Sequence, residues 1–434
     1  MRKFLYSVFM LAVVILTACS NDDNGDTQPK RGMILNASVE NLSSRATMTD
    51  ESGTWKFAFA ANDKVSVSNN KISNYYTFTN NGSQFTCAQA EATTENADWY
   101  AYFPGNEVDL KNQTGTFADV ANKFAVAGKT AQTTTGENGL SITLKPKVAV
   151  LRVVAVDKKG ILDIHVKTAD GGWVKGLTAT KDAADFTVST SDTKTTLLHK
   201  AEGTVNAGEI NYVVVPAGVK IAIYNGDLLL NTTKDAGLAE GKYYTITSGP
   251  TKGTENALIN GVEKKINWVQ LWAGGPRFAT ENVAEEMTWT EAAKTGSDYV
   301  WGANWRTPTA EEVEEKGGLL FDWNTGQAQA GSPTFTITTA PDGTEETVVF
   351  TGMQLGYTKN TLTLYKKVVN GYNQFDFWTS TNDGGYGCKF IIWRKDNITW
   401  GFGISKRHDP NTEYHLVRPV LSIQNITNIT NNKK

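Results

Sequence analysis

From residue 33 onward the chain reads as strands. Met33, Leu35, Ala37 and Val39 alternate with Ile34, Asn36, Ser38 and Glu40. A period of two places one face of a strand against a core, so a first strand is expected over residues 33–40. Short aromatic and β-branched runs follow at Trp55-Lys56-Phe57, Lys64-Val65-Ser66-Val67, Tyr75-Tyr76-Thr77-Phe78 and Trp99-Tyr100-Ala101-Tyr102-Phe103-Pro104. A second set begins near Leu140, with runs over 141–144, 148–156, 161–166, 212–216, 219–224 and 243–247. Asn, Gly, Ser and Asp separate the runs and helical periodicity is nearly absent, a pattern that predicts antiparallel sandwiches. Two tandem antiparallel β-sandwich domains are expected, over residues 32–138 and 139–248, with Lys145-Pro146-Lys147 as a seam between the two sets.

Ser248-Gly249-Pro250-Thr251-Lys252-Gly253-Thr254 has the composition of a linker, placed at 249–257. Beyond it nine of the twelve tryptophans lie after residue 255, which argues for a third domain built separately, over 258–423. Two short helices are expected there. One covers 287–294; the other is entered through Pro308, with Thr309-Ala310-Glu311-Glu312 as a capping box and Gly317-Gly318 as its stop. Aromatic strands and polar loops fill the remainder, so the whole is expected to be mainly β with a C-terminal α+β domain. In the polar tail 424–434, Ile426 and Ile429 fall every third place and give no single apolar strand face.

The N-terminal segment changes the picture from a soluble chain to an exported one. Arg2 and Lys3 precede an apolar run over 4–16, too short to span a bilayer stably. Leu16-Thr17-Ala18-Cys19 resembles the lipobox of bacterial lipoproteins, which implies removal of residues 1–18 and a lipid on Cys19 that holds the chain to a membrane. The other reading is an ordinary secretory signal whose small residues precede a cysteine. Ser20, Asn21, Asp22 and Asp23 resemble the surface-export signal of Bacteroidetes lipoproteins, implying the outer face of the outer membrane. Residues 19–31 are too polar to bury a core and read as a flexible tether. Forty-two basic against 45 acidic side chains, a net charge of −3, leave no basic field for nucleic acid. Besides Cys19 only Cys87 and Cys388 remain, far apart, with no disulfide framework and no metal-binding Cys-x-x-Cys spacing.

Asn62-Asp63-Lys64-Val65-Ser66-Val67, Tyr100-Ala101-Tyr102-Phe103-Pro104, Val213-Val214-Val215-Pro216-Ala217-Gly218 and Ala239-Glu240-Gly241-Lys242-Tyr243-Tyr244 resemble the landmarks of Bacteroidetes fimbrillin-like proteins, subunits of type V pili. That resemblance implies cleavage after an arginine, for which Arg45-Ala46 is the matching position. Cleavage removes the first strand and leaves a groove for a strand from another fimbrial subunit. Four apolar side chains face one way on that strand, so its loss costs about 5–9 kcal/mol, comparable to the stability of a whole domain. The alternative is that Arg45 is a solvated loop residue of an intact lipoprotein. Trp301-Gly302-Ala303-Asn304-Trp305-Arg306-Thr307-Pro308-Thr309, Trp378-Thr379-Ser380-Thr381 and Val417-Arg418-Pro419-Val420 resemble a bacterial C-type-lectin-like domain. A chain that receives a strand, offers a poor donor tail and carries such a domain fits a tip adhesin; the alternative is a static glycan- or protein-binding lipoprotein.

In the third domain, Trp268, Trp301, Trp305 and Trp378 read as core, with Arg306 and Arg418 paired to buried acceptors. Ligand-binding candidates lie in loops: Tyr372 and Asn373, then Asn382, Asp383 and Tyr386, then Arg407 and His408. They combine flat aromatic faces with forked polar groups, the pairing that sugar recognition needs, though each is also an ordinary solvated loop residue. Asn382 with Asp383, or Asp396 with Asn397, supplies too few oxygens for calcium. His408, Asp409, Glu413 and His415 read as a polar loop, not a metal cluster. The lectin-like resemblance implies a fold related to formylglycine-generating enzymes, which use paired cysteines where Cys388 stands alone, and no His-Glu-x-x-His, Gly-x-Ser-x-Gly or phosphate loop occurs. No cofactor and no enzymatic activity are expected.

Overall fold

The computed structural model describes residues 33–40, 49–50, 53–54, 59–88, 97–132, 139–157, 160–314, 334–339, 346–351, 361–365, 374–394 and 400–422. Cys19, the tether, Arg45, Ala46, Tyr372, Asn373, Asp396, Asn397, the Gly317-Gly318 stop and the tail lie outside the described residues. Within them the chain is mainly β, as the strand pattern predicts.

Seven strands close a barrel in the order Met33–Val39, Leu140–Pro146, Val126–Gln132, Ala97–Phe103, Lys64–Asn69, Tyr76–Asn80 and Phe85–Cys87, the last returning to the first. The first strand is paired on both edges. It runs parallel to Leu140–Pro146, with Leu35 opposite Leu140 and Val39 opposite Leu144. It runs antiparallel to Phe85–Cys87, with Met33 opposite Cys87. Met33 and Leu35 are buried, Ala37 and Val39 pack partly buried against the core, and Asn36 and Ser38 face solvent. The parallel approach is close: a Cβ on Gly139, whose φ is +70°, would sit 2.4 Å from the Ile34 carbonyl oxygen. A side chain there meets both a steric clash and a left-handed backbone. The boundary drawn at 138/139 places Leu140–Pro146 in the second set, whereas its ladders belong to the barrel. The seam at Lys145-Pro146-Lys147 is where that strand ends and Val148–Val154 begins.

The next strands form two sheets. One has the order Ile210–Pro216, Val148–Val154, Tyr243–Thr247; the other has Asp185–Ser191, Trp173–Thr180, Leu162–Thr168, Ile221–Asn225, Leu228–Thr232. Glu107–Asp109, from the first segment, pairs with Trp173–Thr180. A single hydrophobic cluster runs from Met33 to Ile246. Buried Gln113 ties its parts together: its side-chain amide donates to the Leu110 and Val214 carbonyls at 2.9 Å each and accepts from the Val214 N–H at 2.7 Å. Helix Phe117–Lys123, which the strand-dominated reading did not anticipate, is capped by the Thr116 hydroxyl, which accepts from the Asp119 N–H.

Residues 252–257 are not a linker, as composition suggested, but part of strand Lys252–Ile259, antiparallel to Val262–Gln270. The strand lies at a sheet edge with only Ala257 buried, so backbone pairing holds it and no apolar alternation marks it. Beyond it, Met287–Thr288 is a short strand and the expected helix is confined to Trp289–Ala292, with a Thr288–Glu291 capping box. Ala310–Glu314 is the second helix, and Thr309 and Glu312 make the reciprocal capping bonds expected of them. Trp268, Trp301, Trp305 and Trp378 are buried. Arg418 is buried with its guanidinium donating to the Ala279 and Thr363 carbonyls, and Arg306 pairs with Glu312. The third region is fastened to the second where Val156 accepts from Gln270 Nε2 and the Gly274 N–H, and where Arg277 pairs with Asp157 at 2.7 Å. Burial raises the Asp157 carboxyl above its usual value, against the pull of Arg277.

Leu35→Ala is expected to lower the stability of the intact chain by about 2–5 kcal/mol, and Ser38→Ala to change it by less than about 0.5 kcal/mol. Urea unfolding checks both; equal effects at the two positions would contradict the one-sided burial of the strand.

Candidate functional site

Two regions carry chemistry beyond packing. The first is the slot that the first strand fills. Without that strand, Leu140–Pro146 and Phe85–Cys87 each present an unpaired edge, and the buried places of Met33 and Leu35 open. Exposed edges flanking apolar sockets are the physical requirement for capture of a foreign strand.

The second is the end of a three-stranded sheet, Gln374–Asp383, Tyr386–Arg394 and Trp400–His408. Gly384 and Gly385 make the two-residue turn of the hairpin with φ of +65° and +94°, the geometry that glycine adopts without strain. Asn382 Oδ1 accepts the Gly385 N–H at 2.8 Å, and Asp383 pairs opposite Tyr386. His408 pairs opposite Gly387, which brings Arg407 to the same end. Register shifts between Trp378 and Asn382 and between Gly387 and Lys389 mark bulges there, as is common beside sites. A Cβ on Gly387 would lie 2.5 Å from the Trp289 indole, so that ring lies directly against the hairpin backbone.

The structure thus brings together five of the seven loop candidates, Asn382, Asp383, Tyr386, Arg407 and His408. Tyr386 is 47% exposed, and Arg407 Nε stands 3.8 Å from the Asp383 carboxylate. His408 plays a different part: Nδ1 meets Glu413 Oε2 at 2.8 Å and Nε2 meets Ser405 Oγ at 2.7 Å, so both ring nitrogens are engaged. Asn382 and Asp383 already serve the turn and Arg407, which leaves them poor cation ligands.

Behind the exposed end, His408, Glu413 and His415 meet two residues that no sequence pattern marks, Lys389 and Asp376. Lys389 is buried, with Nζ 3.0 Å from Asp376 Oδ2, 3.1 Å from His415 Nε2 and 3.9 Å from Glu413 Oε2. Burial first, and then the Lys389 charge, hold the His415 imidazole below its ordinary pKa, so it is neutral near pH 7. Burial opposes the charge on Glu413, but hydrogen bonds from His408 and the Asp409 N–H outweigh it and lower its pKa. His408, Glu413 and His415 do converge, yet the Lys389 ammonium stands among them. Among the described residues no group of three or more His, Cys, Asp and Glu side chains is arranged to hold a metal ion. The only signal for Lys389 in the sequence is its place between Cys388 and Phe390-Ile391-Ile392.

No family model matches the chain, and no curated protein does. Among solved structures, a candidate cell adhesion protein from Bacteroides uniformis is 14% identical over 50% of this chain and 93% of its own, with a TM-score of 0.30. Another from Bacteroides ovatus is 9% identical over 55% and 96%, with a TM-score of 0.32. A fimbrial protein from Bacteroides ovatus is 12% identical over 91% and 100%, with a TM-score of 0.24. At these identities and scores the likeness carries neither fold nor function over to this chain.

The lowered pKa of Glu413 gives a signed expectation. Its carboxylate contributes stability above the ordinary carboxylate range, and that contribution is lost as pH falls through the lowered value. Amide exchange over 409–413, corrected for its intrinsic pH dependence, is expected to show loss of protection on acidification. Glu413→Gln is expected to lack the protection already at neutral pH; unchanged protection in that variant would contradict the role given to the carboxylate.

Proposed function

We propose that the chain is the precursor of a surface-displayed fimbrial subunit, exported and lipidated at Cys19. It is then cut at Arg45-Ala46, so that its first strand leaves and a neighbouring subunit's strand takes the vacated slot. The observation that carries the reading is the position of Met33–Val39, a strand that closes the barrel on both edges and is followed within a few residues by Arg45. Burial of Met33 and Leu35 alone is worth about 3–6 kcal/mol, a strong drive for a replacement strand. In this reading the chain holds a terminal place in the fibre, with the third region as the binding end. There Asn382, Asp383, Tyr386 and Arg407 engage a glycan or a protein surface by binding, not turnover. The completeness of the barrel with its own strand favours a second reading, a static binding lipoprotein that keeps its lipid.

Mass spectrometry of the N-terminal peptide, taken from intact cell surfaces, separates the two. A chain beginning at Ala46 is expected; a chain beginning at lipidated Cys19 would show that the slot is never vacated. For the binding end, Tyr386→Ala and Arg407→Ala are each expected to weaken binding on a glycan or surface-protein array by about tenfold or more with unfolding unchanged. Unaltered binding by both variants would move the site elsewhere.

A further inference from the structure

The buried cluster around Lys389 has the geometry of a covalent cross-link site. Lys389 and Asp376 are diagonal neighbours on adjacent antiparallel strands, Lys389 lying opposite Trp378 and Asp376 two residues before it. A lysine reaches across such a pair on one face. Their side chains are 8% and 19% exposed, and Nζ stands 3.0 Å from Oδ2. The other carboxylate oxygen, Asp376 Oδ1, is buried and has no hydrogen-bond partner. An ionised carboxylate is poorly served there, because a buried acceptor without a donor is left desolvated and uncompensated. Two groups able to carry protons complete the setting: His415 Nε2 lies 3.1 Å from Nζ, and Glu413 Oε2 lies 3.3 Å from that same imidazole nitrogen. The buried Trp378 indole packs edge-on against the His415 ring, with centroids 4.8 Å apart, and helps keep water out.

We propose that Lys389 and Asp376 condense to an intramolecular isopeptide bond, with His415 and Glu413 as proton carriers. A proton passes from the ammonium to the carboxylate, giving a neutral amine beside a carboxylic acid. Nζ attacks Asp376 Cγ, forming the C–N bond, while His415 takes a second proton from nitrogen and Glu413 stabilises the resulting imidazolium. The imidazolium returns that proton to the departing hydroxyl, the C–O bond breaks and water leaves. One ammonium and one carboxylate become one amide and one water, so atoms and charge balance without an oxidant or co-reactant. Holding the groups in contact on one face of the paired strands supplies the effective concentration that such a condensation needs. The bond clamps the two strands of the hairpin whose far end carries Tyr386 and Asn382.

Tryptic digestion of the full-length folded chain tests this, because trypsin does not cut after an acylated lysine. The expected product is one peptide over residues 368–394, lighter by one water, with fragment ions joining Asp376 to Lys389. Release of separate peptides over 368–389 and 390–394 would overturn the proposal. So would water loss localised to Asp383-Gly384, where a cyclic imide is the alternative source and Lys389 stays cleavable. Asp376→Asn is expected to form the same bond with loss of ammonia instead of water, and Lys389→Met to show no loss. His415→Phe and Glu413→Gln should leave a mixture of linked and unlinked chains; full linkage in both would remove them from the reaction.

Discussion

The parallel pairing of Met33–Val39 with Leu140–Pro146 is the constraint on which the body of the protein depends. The two segments are separated by the whole first set of strands, and their pairing closes a sheet that would otherwise end in two open edges. It also places Met33 and Leu35 at the start of a core that continues without a break to Ile246. Because Gln113 and Glu107–Asp109 reach from the first strands into the second set, loss of the first strand disturbs more than one sheet. A strand with the same alternation and two free edges to pair with would meet the same contacts.

Much of this was legible in the residues because it is local. The alternation at Met33, Leu35, Ala37 and Val39 described the burial of the first strand, and Lys145-Pro146-Lys147 marked where the barrel's last strand stops. Thr309 and Glu312 made the capping bonds that their spacing predicts, since such a box needs only residues three apart. The long-range partners were not legible. Nothing in the Leu140–Pro146 run says that it lies parallel to a strand begun at residue 33. Gly139, whose missing side chain allows that approach, reads only as a turn residue. Lys252–Ile259 escaped for another reason: an edge strand with a single buried side chain has the composition of a loop.

The candidate binding end stands out in the sequence through flat aromatic faces beside forked polar groups, while its hairpin turn gives a further signal that reading did not use. Asn382-Asp383-Gly384-Gly385 is a hairpin signal in itself, and the third strand then brings Arg407 and His408 to the same place. In the cluster behind it, His408, Glu413 and His415 stand out as a polar run, but Lys389 and Asp376 do not, because a lysine in a strand is ordinarily taken to face solvent and Asp376 carries no motif. Only the packing of Trp378, His415 and Glu413 against that face turns Lys389 into an interior cation.

These two features are the ends of one element, and the arrangement bears on how the exposed end can bind. A hairpin tip held only by its own backbone bonds pays ordering entropy when a ligand fixes it. Here the Trp289 ring lies against Gly387, its indole N–H donates to the Thr379 carbonyl at 2.8 Å, and the Thr379 hydroxyl donates to the Cys388 carbonyl. The Lys389–Asp376 contact then fixes the strands below. Tyr386 and Arg407 therefore project from a base whose freedom is already spent. Their exposure does not bring the looseness of an ordinary loop, and a shallow surface of few residues can bind with less ordering cost.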